Sequence, residues 1–193
     1  IADVAAEHDV EANIEQMPLF LAQAFRVLKP KGFCVFFYDM DHHEKLQQAA
    51  ADVGFKVQRW PLVWHKTSVC QNMSAQFNYT KNYEIAIVCR RGSAQLLRAQ
   101  SSSVWSGGND TESKALGHPF AKPFALWEWI YSATCLRGTT VLDPFVGCGS
   151  SVIPAIRAGL RPVGVESNTK HFATLQLNLQ NFYKSLDPNC TFT

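Results

Sequence analysis

Apolar residues recur along the chain with two periods, and stretches of the two kinds alternate. From Ile14 to Leu28 the apolar positions follow the spacing of a helix, which ends at the Lys-Pro-Lys-Gly turn starting at Lys29. The run from Phe33 to Tyr38 is short and wholly apolar, which is typical of a strand buried on both faces of a parallel sheet. The pattern therefore predicts a helix followed by a buried strand.

The same alternation continues to the end of the chain. It predicts helices over 41–53, 124–136, 150–158 and 170–183, and strands over 55–64 (bent at Pro61), 83–89, 139–142 and 162–165. Strands that alternate with helices indicate an α/β fold, doubly wound around a mainly parallel sheet. Residues 93–117 contain a triple serine, a Gly-Gly pair and Asn-Asp, and we expect an exposed loop or insert there.

Composition narrows this picture. The 193 residues are 47% hydrophobic and 18% charged, which favours one compact domain over 1–193. No apolar run approaches the ~20 residues that cross a bilayer, so we expect no membrane association. The six cysteines lack the spacing of metal ligands, so we expect no metal and reduced thiols. No secretory leader opens the chain, which favours the cytoplasm, and the first residue, Ile1, suggests a piece of a longer polypeptide.

The strongest chemical signal is the stretch Val-Leu-Asp-Pro-Phe-Val-Gly-Cys-Gly-Ser-Ser that starts at Val141. A predicted strand enters a glycine-rich turn, and the turn opens a helix whose free amides favour an anionic group. Glu166 ends the next predicted strand, where an acid is placed to bind the two hydroxyls of a ribose. A plain tight turn with a capped helix is the alternative. The turn lacks the features of a P-loop and of a dinucleotide fingerprint.

The stretch from Asp143 to Ser151 resembles the S-adenosylmethionine motif of the amino-methylating DNA methyltransferases, which modify adenine N6 or cytosine N4. The His-Pro-Phe-Ala-Lys-Pro segment at 118–123 is similar to the segment that precedes this motif in the family, and residues 26–32, 64–66 and 78–84 are similar to other family segments. Because the cofactor motif comes late in the chain, the order resembles the circularly permuted β-type arrangement.

The resemblance implies roles for individual residues. The methionine end of S-adenosylmethionine would be wrapped by Gly147, Gly149 and the amide of Ser150, and Asp143 would accept from its amino group. Glu166 would hold the ribose. Phe145 and Lys122 would border the cofactor, although Phe145 reads equally well as a core residue and Lys122 as a solvated lysine before a helix.

The resemblance also shows a departure. Family members carry an Asp/Asn/Ser-Pro-Pro-aromatic loop that receives a base flipped out of double-stranded DNA. This sequence contains no Pro-Pro pair, so no catalytic residue is assigned, and we expect an N-terminally truncated fold that is inactive by itself. In the family fold, the strand that leads into this loop lies between the strands at 33–38 and 141–142. Its loss would leave two apolar strand edges unpaired. We expect the strands at 33–38 and 141–142 to pair directly, or to be bridged by residues near the N-terminus or by a second copy.

The expected partner is double-stranded DNA, and adenine is the favoured target base over cytosine. The sequence does not determine the oligomeric state, and a homo-oligomer is one possibility. The mild positive balance after residue 60 is compatible with a nucleic-acid groove. Candidate contacts to phosphates and to an extruded base are Lys66, Phe77, Tyr79, Lys81, Arg90, Arg91 and Arg98. Two alternatives are an inactive cofactor-binding module and a small-molecule methyltransferase with the same pocket.

Overall fold

The computed structural model describes residues 15–68, 72, 74–108, 110–118 and 120–187. The chain divides into two compact units. Unit 1 comprises residues 1–65 and 83–95, and unit 2 comprises residues 66–82 and 96–193. The single domain over 1–193 stays a prediction.

The predicted helices and strands are found, with ends that differ by a few residues. Unit 1 contains α1 (Met17–Val27), β1 (Phe33–Tyr38), a 3-10 turn (Met40–His42), α2 (His43–Asp52), β2 (Lys56–Val57), β3 (Leu62–His65) and β4 (Tyr83–Arg90). Unit 2 contains β5 (Val104–Ser106), α3 (Thr111–Ala115), α4 (Phe124–Thr134), β6 (Thr140–Asp143), α5 (Val152–Arg157), β7 (Arg161–Gly164) and α6 (Thr169–Leu186).

Strand β4 is the centre of unit 1. It pairs with β1 along one edge and with β2 and β3 along the other, and all three pairings are antiparallel. Its five residues from Ile85 to Cys89 are buried, which accounts for their unbroken apolar character. The bend expected at Pro61 is confirmed, because it separates β2 from β3.

Helices α1 and α2 contribute to the hydrophobic core of unit 1. The core consists of fully buried apolar side chains: Leu21, Leu46, Ala50, Phe55, Ile87 and Cys89. Cys89 lies directly opposite Cys34 in the β1–β4 pairing, and burial raises the pKa of each thiol to about 12. Both cysteines therefore act as small apolar side chains, as expected.

Arg91 closes the turn that leads from α1 into β1. Its backbone N–H donates to the carbonyl of Gly32 (3.0 Å), and its side chain donates to the carbonyl of Leu28 at the end of α1. The guanidinium also lies over the ring of Phe25, 4.7 Å from its centroid. A phosphate contact by Arg91 therefore competes with a fixed structural role at the negative end of a helix.

Unit 2 contains the parallel pairing that the sequence predicts. Strands β6 and β7 pair in parallel, with Asp143 opposite Gly164, and α5 connects them. Val146, Val152 and Leu175 pack together in this unit. The α/β class is thus confirmed, and strand pairing in the chain is mixed, antiparallel in unit 1 and parallel between β6 and β7.

Part of the segment 93–117 differs from the exposed insert expected there. Residues 95–100 are exposed, as expected, but Ser113 and Leu116 are buried. Asp110 produces this difference because its carboxylate accepts from Ser113 N at the start of α3 and from Phe124 N (2.8 Å) at the start of α4. The last eight residues of the segment thus contain a short helix with two buried side chains among mostly exposed ones, and the insert at the target-recognition position stays a prediction.

Direct pairing of the strands at 33–38 and 141–142, one of the three expected alternatives, is not found. Within the described residues, β1 is an end strand of its sheet, and β6 pairs with β7 alone. The expected bridge through residues near the N-terminus lies outside the described residues. Among the helices of the described ranges, none is both long and apolar enough to span a membrane.

Candidate cofactor-binding site

A glycine-rich loop joins β6 to α5, and both of its glycines have left-handed backbone conformations. Gly147 has φ 54° and Gly149 has φ 96°. A Cβ on Gly149 would lie only 2.6 Å from Cδ1 of Leu175, so α6 packs against the loop at that point. Glycine is required at 149 by backbone conformation and by space. At Gly147 the nearest side-chain atom to such a Cβ is Nε2 of His118, 4.0 Å away.

Glu166 fastens this loop to the end of β7. Its Oε2 accepts from the N–H of Gly147 (2.9 Å), and its Oε1 accepts from the N–H of Asn168 (2.8 Å). A backbone bond from Val146 N to the carbonyl of Val165 (3.1 Å) runs between the same two segments. The carboxylate has four acceptor positions and uses two of them here, so both oxygens can still accept from a ligand.

Asp143 ends β6 and is also held by two donors. Its Oδ1 accepts from the N–H of Phe145 (3.0 Å), and its Oδ2 accepts from the hydroxyl of Ser151. Asp143 and Glu166 therefore follow neighbouring parallel strands, at the edge where doubly wound sheets bind ligands. The structure brings together the two acids that the sequence singled out.

The remaining predicted site residues have different placements. The N–H of Gly147 donates to Glu166, and that of Gly149 donates to the carbonyl of Val146 (3.0 Å). Both amides are thus used inside the protein, and the role of these glycines toward a ligand stays a prediction. Phe145 is 73% exposed, which excludes the core alternative. Lys122 is half-buried in the turn before α4, and its role stays a prediction.

The amide of Ser150 is close to the thiol of Cys148 beneath the loop. Burial raises the pKa of that thiol, and the hydrogen bond from Ser150 N partly offsets the rise. Cys148 is 2% exposed, so it fills space under the loop as an apolar side chain. Whether Ser150 N also serves a ligand stays a prediction.

Three structural partners of the loop escaped the sequence reasoning. Asn178 of α6 donates to the carbonyls of Cys148 (3.0 Å) and Leu116 (3.2 Å), and so joins the loop to the segment before His118. It lies on the apolar face of α6 formed by Leu175 and Leu179, and a lone amide on such a face is a signal the sequence does contain. The other two partners are Tyr131 and Ser151.

A histidine pair also lies in unit 2 near the loop. The rings of His118 and His171 meet edge to face with centroids 4.6 Å apart, and His118 Nδ1 accepts from Phe120 N (3.2 Å). The bond assigns the proton of a neutral His118 to Nε2, the atom nearest Gly147. Within the described ranges, no group of three or more His, Cys, Asp or Glu side chains is placed to hold a metal ion.

Comparison of the sequence with known protein families identifies the family of this chain. The family described as DNA methylase, of the N6/N4 methyltransferase kind, matches residues 2–177, which include the loop and both acids. The chain belongs to the DNA methylase family. The resemblance inferred from the motifs is thereby confirmed, and with it the methyltransferase fold class.

Curated proteins similar to this chain support the family assignment. The type II methyltransferase M2.DpnII of Streptococcus pneumoniae is 27% identical over 172 residues, which cover 81% of this chain and 63% of the relative. The chain thus spans less than two thirds of the length of this curated relative.

Two solved structures have the same fold as this chain. The M1.HpyAVI complex with S-adenosylmethionine superposes with a TM-score of 0.76 at 21% identity, over 88% of this chain and 84% of that one. The cytosine-N4-specific PvuII DNA methyltransferase superposes with a TM-score of 0.70 at 17% identity, over 92% and 73% of the two chains.

Proposed function

We propose that this chain is the cofactor-binding part of an S-adenosylmethionine-dependent DNA methyltransferase that modifies an exocyclic amine of a base. The observation that carries the proposal is the pair of acids, Asp143 and Glu166, at the ends of neighbouring parallel strands, with the glycine loop fixed between them. Membership of the DNA methylase family and the similarity to type II methyltransferases support it.

The residues present suit a sulfonium nucleoside. Asp143 retains acceptor positions for an ammonium group, and Glu166 retains acceptor positions for ribose hydroxyls. The exposed ring of Phe145 stands beside Asp143 as an apolar border. When bound, S-adenosylmethionine supplies an activated methyl group. The residues of this chain orient the cofactor by binding its ammonium group and its ribose.

The acceptor is proposed to be adenine N6 in double-stranded DNA, with cytosine N4 as the second target to test. Both are exocyclic amines, and the loop that would receive the flipped base is not among these 193 residues, which contain no Pro-Pro pair. Methyl transfer by this chain alone is therefore expected to be absent. The same observation favours a second candidate, a cofactor-binding module without turnover.

Exposed aromatic residues in unit 2 support contact with DNA. Phe77 and Tyr79 are 86% and 103% exposed, which excludes a core role for Tyr79. Lys81 lies in the same segment, and aromatic rings beside basic side chains suit unstacked bases and phosphates. Residues 93–117 are the proposed position of target recognition, and such a short segment would make few contacts.

Isothermal titration calorimetry tests the cofactor assignment directly. S-adenosylmethionine should bind the chain, and replacing Asp143 or Glu166 with Ala should abolish binding. Unchanged affinity in both variants would refute the pocket assignment.

Transfer of labelled methyl groups to duplex DNA tests the activity. The assay uses a longer protein that contains this chain together with an Asp/Asn-Pro-Pro-aromatic loop. Product analysis for N6-methyladenine and N4-methylcytosine separates the two targets. Cofactor binding without transfer to any DNA would favour the inactive module, and transfer to small molecules alone would favour a small-molecule methyltransferase.

A further inference from the structure

Ser151 occupies the N-cap position of α5 and does not cap the helix. Serine is among the preferred N-cap residues because its oxygen accepts from a free amide of the first turn. Here the side chain makes no such bond. The hydroxyl instead donates to Oδ2 of Asp143. The side chain of Ser151 therefore binds Asp143, the proposed cofactor ligand, instead of capping the helix.

Ser151 is buried, and its backbone is bound as well as its side chain. The residue is 3% exposed, and its carbonyl accepts from the hydroxyl of Tyr131 (3.0 Å). Tyr131 is 5% exposed and projects from α4. Burial, together with the nearby charge of Asp143, raises the pKa of the Tyr131 hydroxyl, so it keeps its proton and remains a donor at neutral pH.

Asp143 is thereby oriented from two sides. Phe145 N binds Oδ1 and the Ser151 hydroxyl binds Oδ2, which fixes the plane of the carboxylate. A carboxylate with both oxygens held has its remaining acceptor positions in defined directions. Orientation before ligand binding lowers the cost of ordering this group when the ligand arrives.

We propose that Ser151 is a positioning residue that orients Asp143 toward the ammonium group of the cofactor, with Tyr131 supporting it from behind. The inference rests on the proposed function, because it assigns Asp143 to the amino-acid end of S-adenosylmethionine. It adds two buried hydroxyl groups to the site: that of Tyr131 binds the backbone carbonyl of Ser151, and that of Ser151 binds Asp143.

A pair of ligands tests this role by calorimetry. S-adenosylmethionine carries the amino-acid end, and 5′-methylthioadenosine lacks it. Ser151→Ala should weaken binding of S-adenosylmethionine about tenfold, the size expected for one hydrogen bond to a charged group, and leave 5′-methylthioadenosine within about twofold. Ser151→Thr keeps the hydroxyl and should restore affinity for S-adenosylmethionine. Tyr131→Phe should have a smaller effect of the same selectivity.

Ser113→Ala is the matched control. Ser113 is also a buried serine of unit 2, and its hydroxyl donates to a backbone carbonyl, that of Asp110 (3.3 Å), rather than to a site residue. This variant should leave both affinities unchanged. If Ser151→Ala fails to fold, Ser151→Gly repeats the test, because glycine is accepted at an N-cap.

Each outcome has a defined meaning. Wild-type affinity in Ser151→Ala would overturn the positioning role, as would equal losses for the two ligands, which indicate a general defect of the pocket. Failure of the wild-type chain to bind either ligand would instead refute the proposed function. A selective loss that Ser151→Thr restores would support the inference.

Discussion

Strands β1 and β6 both lead into helices through an acid, yet the segments after the two strands are built differently. After β1, Asp39 accepts from the N–H of Asp41 (3.4 Å) and caps a 3-10 turn. After β6, Asp143 precedes a loop with two left-handed glycines and is held by Ser151. An aspartate at a strand end therefore caps a turn in one case and is a candidate ligand-binding group in the other. The two segments differ in the glycines, which occur only in the loop after Asp143.

The largest expected effect comes from Glu166, which has no counterpart after β1. Glu166→Ala removes the acceptor of Gly147 N and Asn168 N and the proposed ribose ligand. Affinity for S-adenosylmethionine should fall more than ~100-fold, since two charge-assisted hydrogen bonds and the loop geometry are lost together. Calorimetry measures the change. A loss of less than about tenfold would show that the loop is held mainly by its backbone.

The next effect is on stability rather than on affinity: Gly149→Ala should destabilise the chain by about 2–4 kcal/mol. The new Cβ requires φ 96° and would meet Leu175 at 2.6 Å. Gly138→Ala is the control, because Gly138 has φ 81° with nothing within 4 Å of its Cβ. It should cost only about 1 kcal/mol. Denaturant unfolding compares the two variants, and equal losses would show that the contact with α6 contributes nothing.

Asp39→Ala tests the other side of the comparison. Loss of the cap should cost about 0.5–1 kcal/mol of unfolding free energy and leave affinity for S-adenosylmethionine unchanged. Asp39→Ser retains a capping oxygen and should recover most of the stability. A fall in cofactor affinity in Asp39→Ala would show that both strand ends serve the ligand.

The smallest effect is expected from Glu112, which lies in unit 2 outside the loop. Its carboxylate forms two hydrogen bonds with Arg157 (2.7 and 2.9 Å), which lower the pKa of Glu112. A lowered pKa contributes stability above the ordinary value of 4.5 that is lost as pH falls through the folded value. The melting temperature of Glu112→Gln should therefore lie slightly below that of wild type at pH 7, and the gap should shrink as the pH falls below 4.5. A larger gap at pH 3 would contradict the assignment.

The sequence predicted those features that local patterns encode. The apolar run at Phe33, the break at Pro61 and the loop between Asp143 and Ser151 can all be inferred from residue type and spacing. The helix predicted over 41–53 begins at His43, after a 3-10 turn that Asp39 caps. Neighbouring polar residues compete for the same amides, so sequence spacing alone does not decide between them.

Other features depend on contacts distant in sequence. Helix α3 has five residues and a loop-like composition, and it forms because Asp110 binds both Ser113 and Phe124. The antiparallel partner of β1 is set by β4, about 50 residues later, which an apolar run cannot specify. The direction of the Ser151 hydroxyl depends on Asp143, and its usual N-cap role hides that choice.

The double role of Asp110 has a consequence for where this chain tolerates changes in length. One carboxylate starts both α3 and α4, which fixes the number of residues that can separate them. Insertions within 98–100, where the residues are exposed, leave that arrangement intact, whereas insertions between 114 and 123 pull Phe124 away from its acceptor. Variation in length among proteins built on this plan is therefore expected to collect before Asp110.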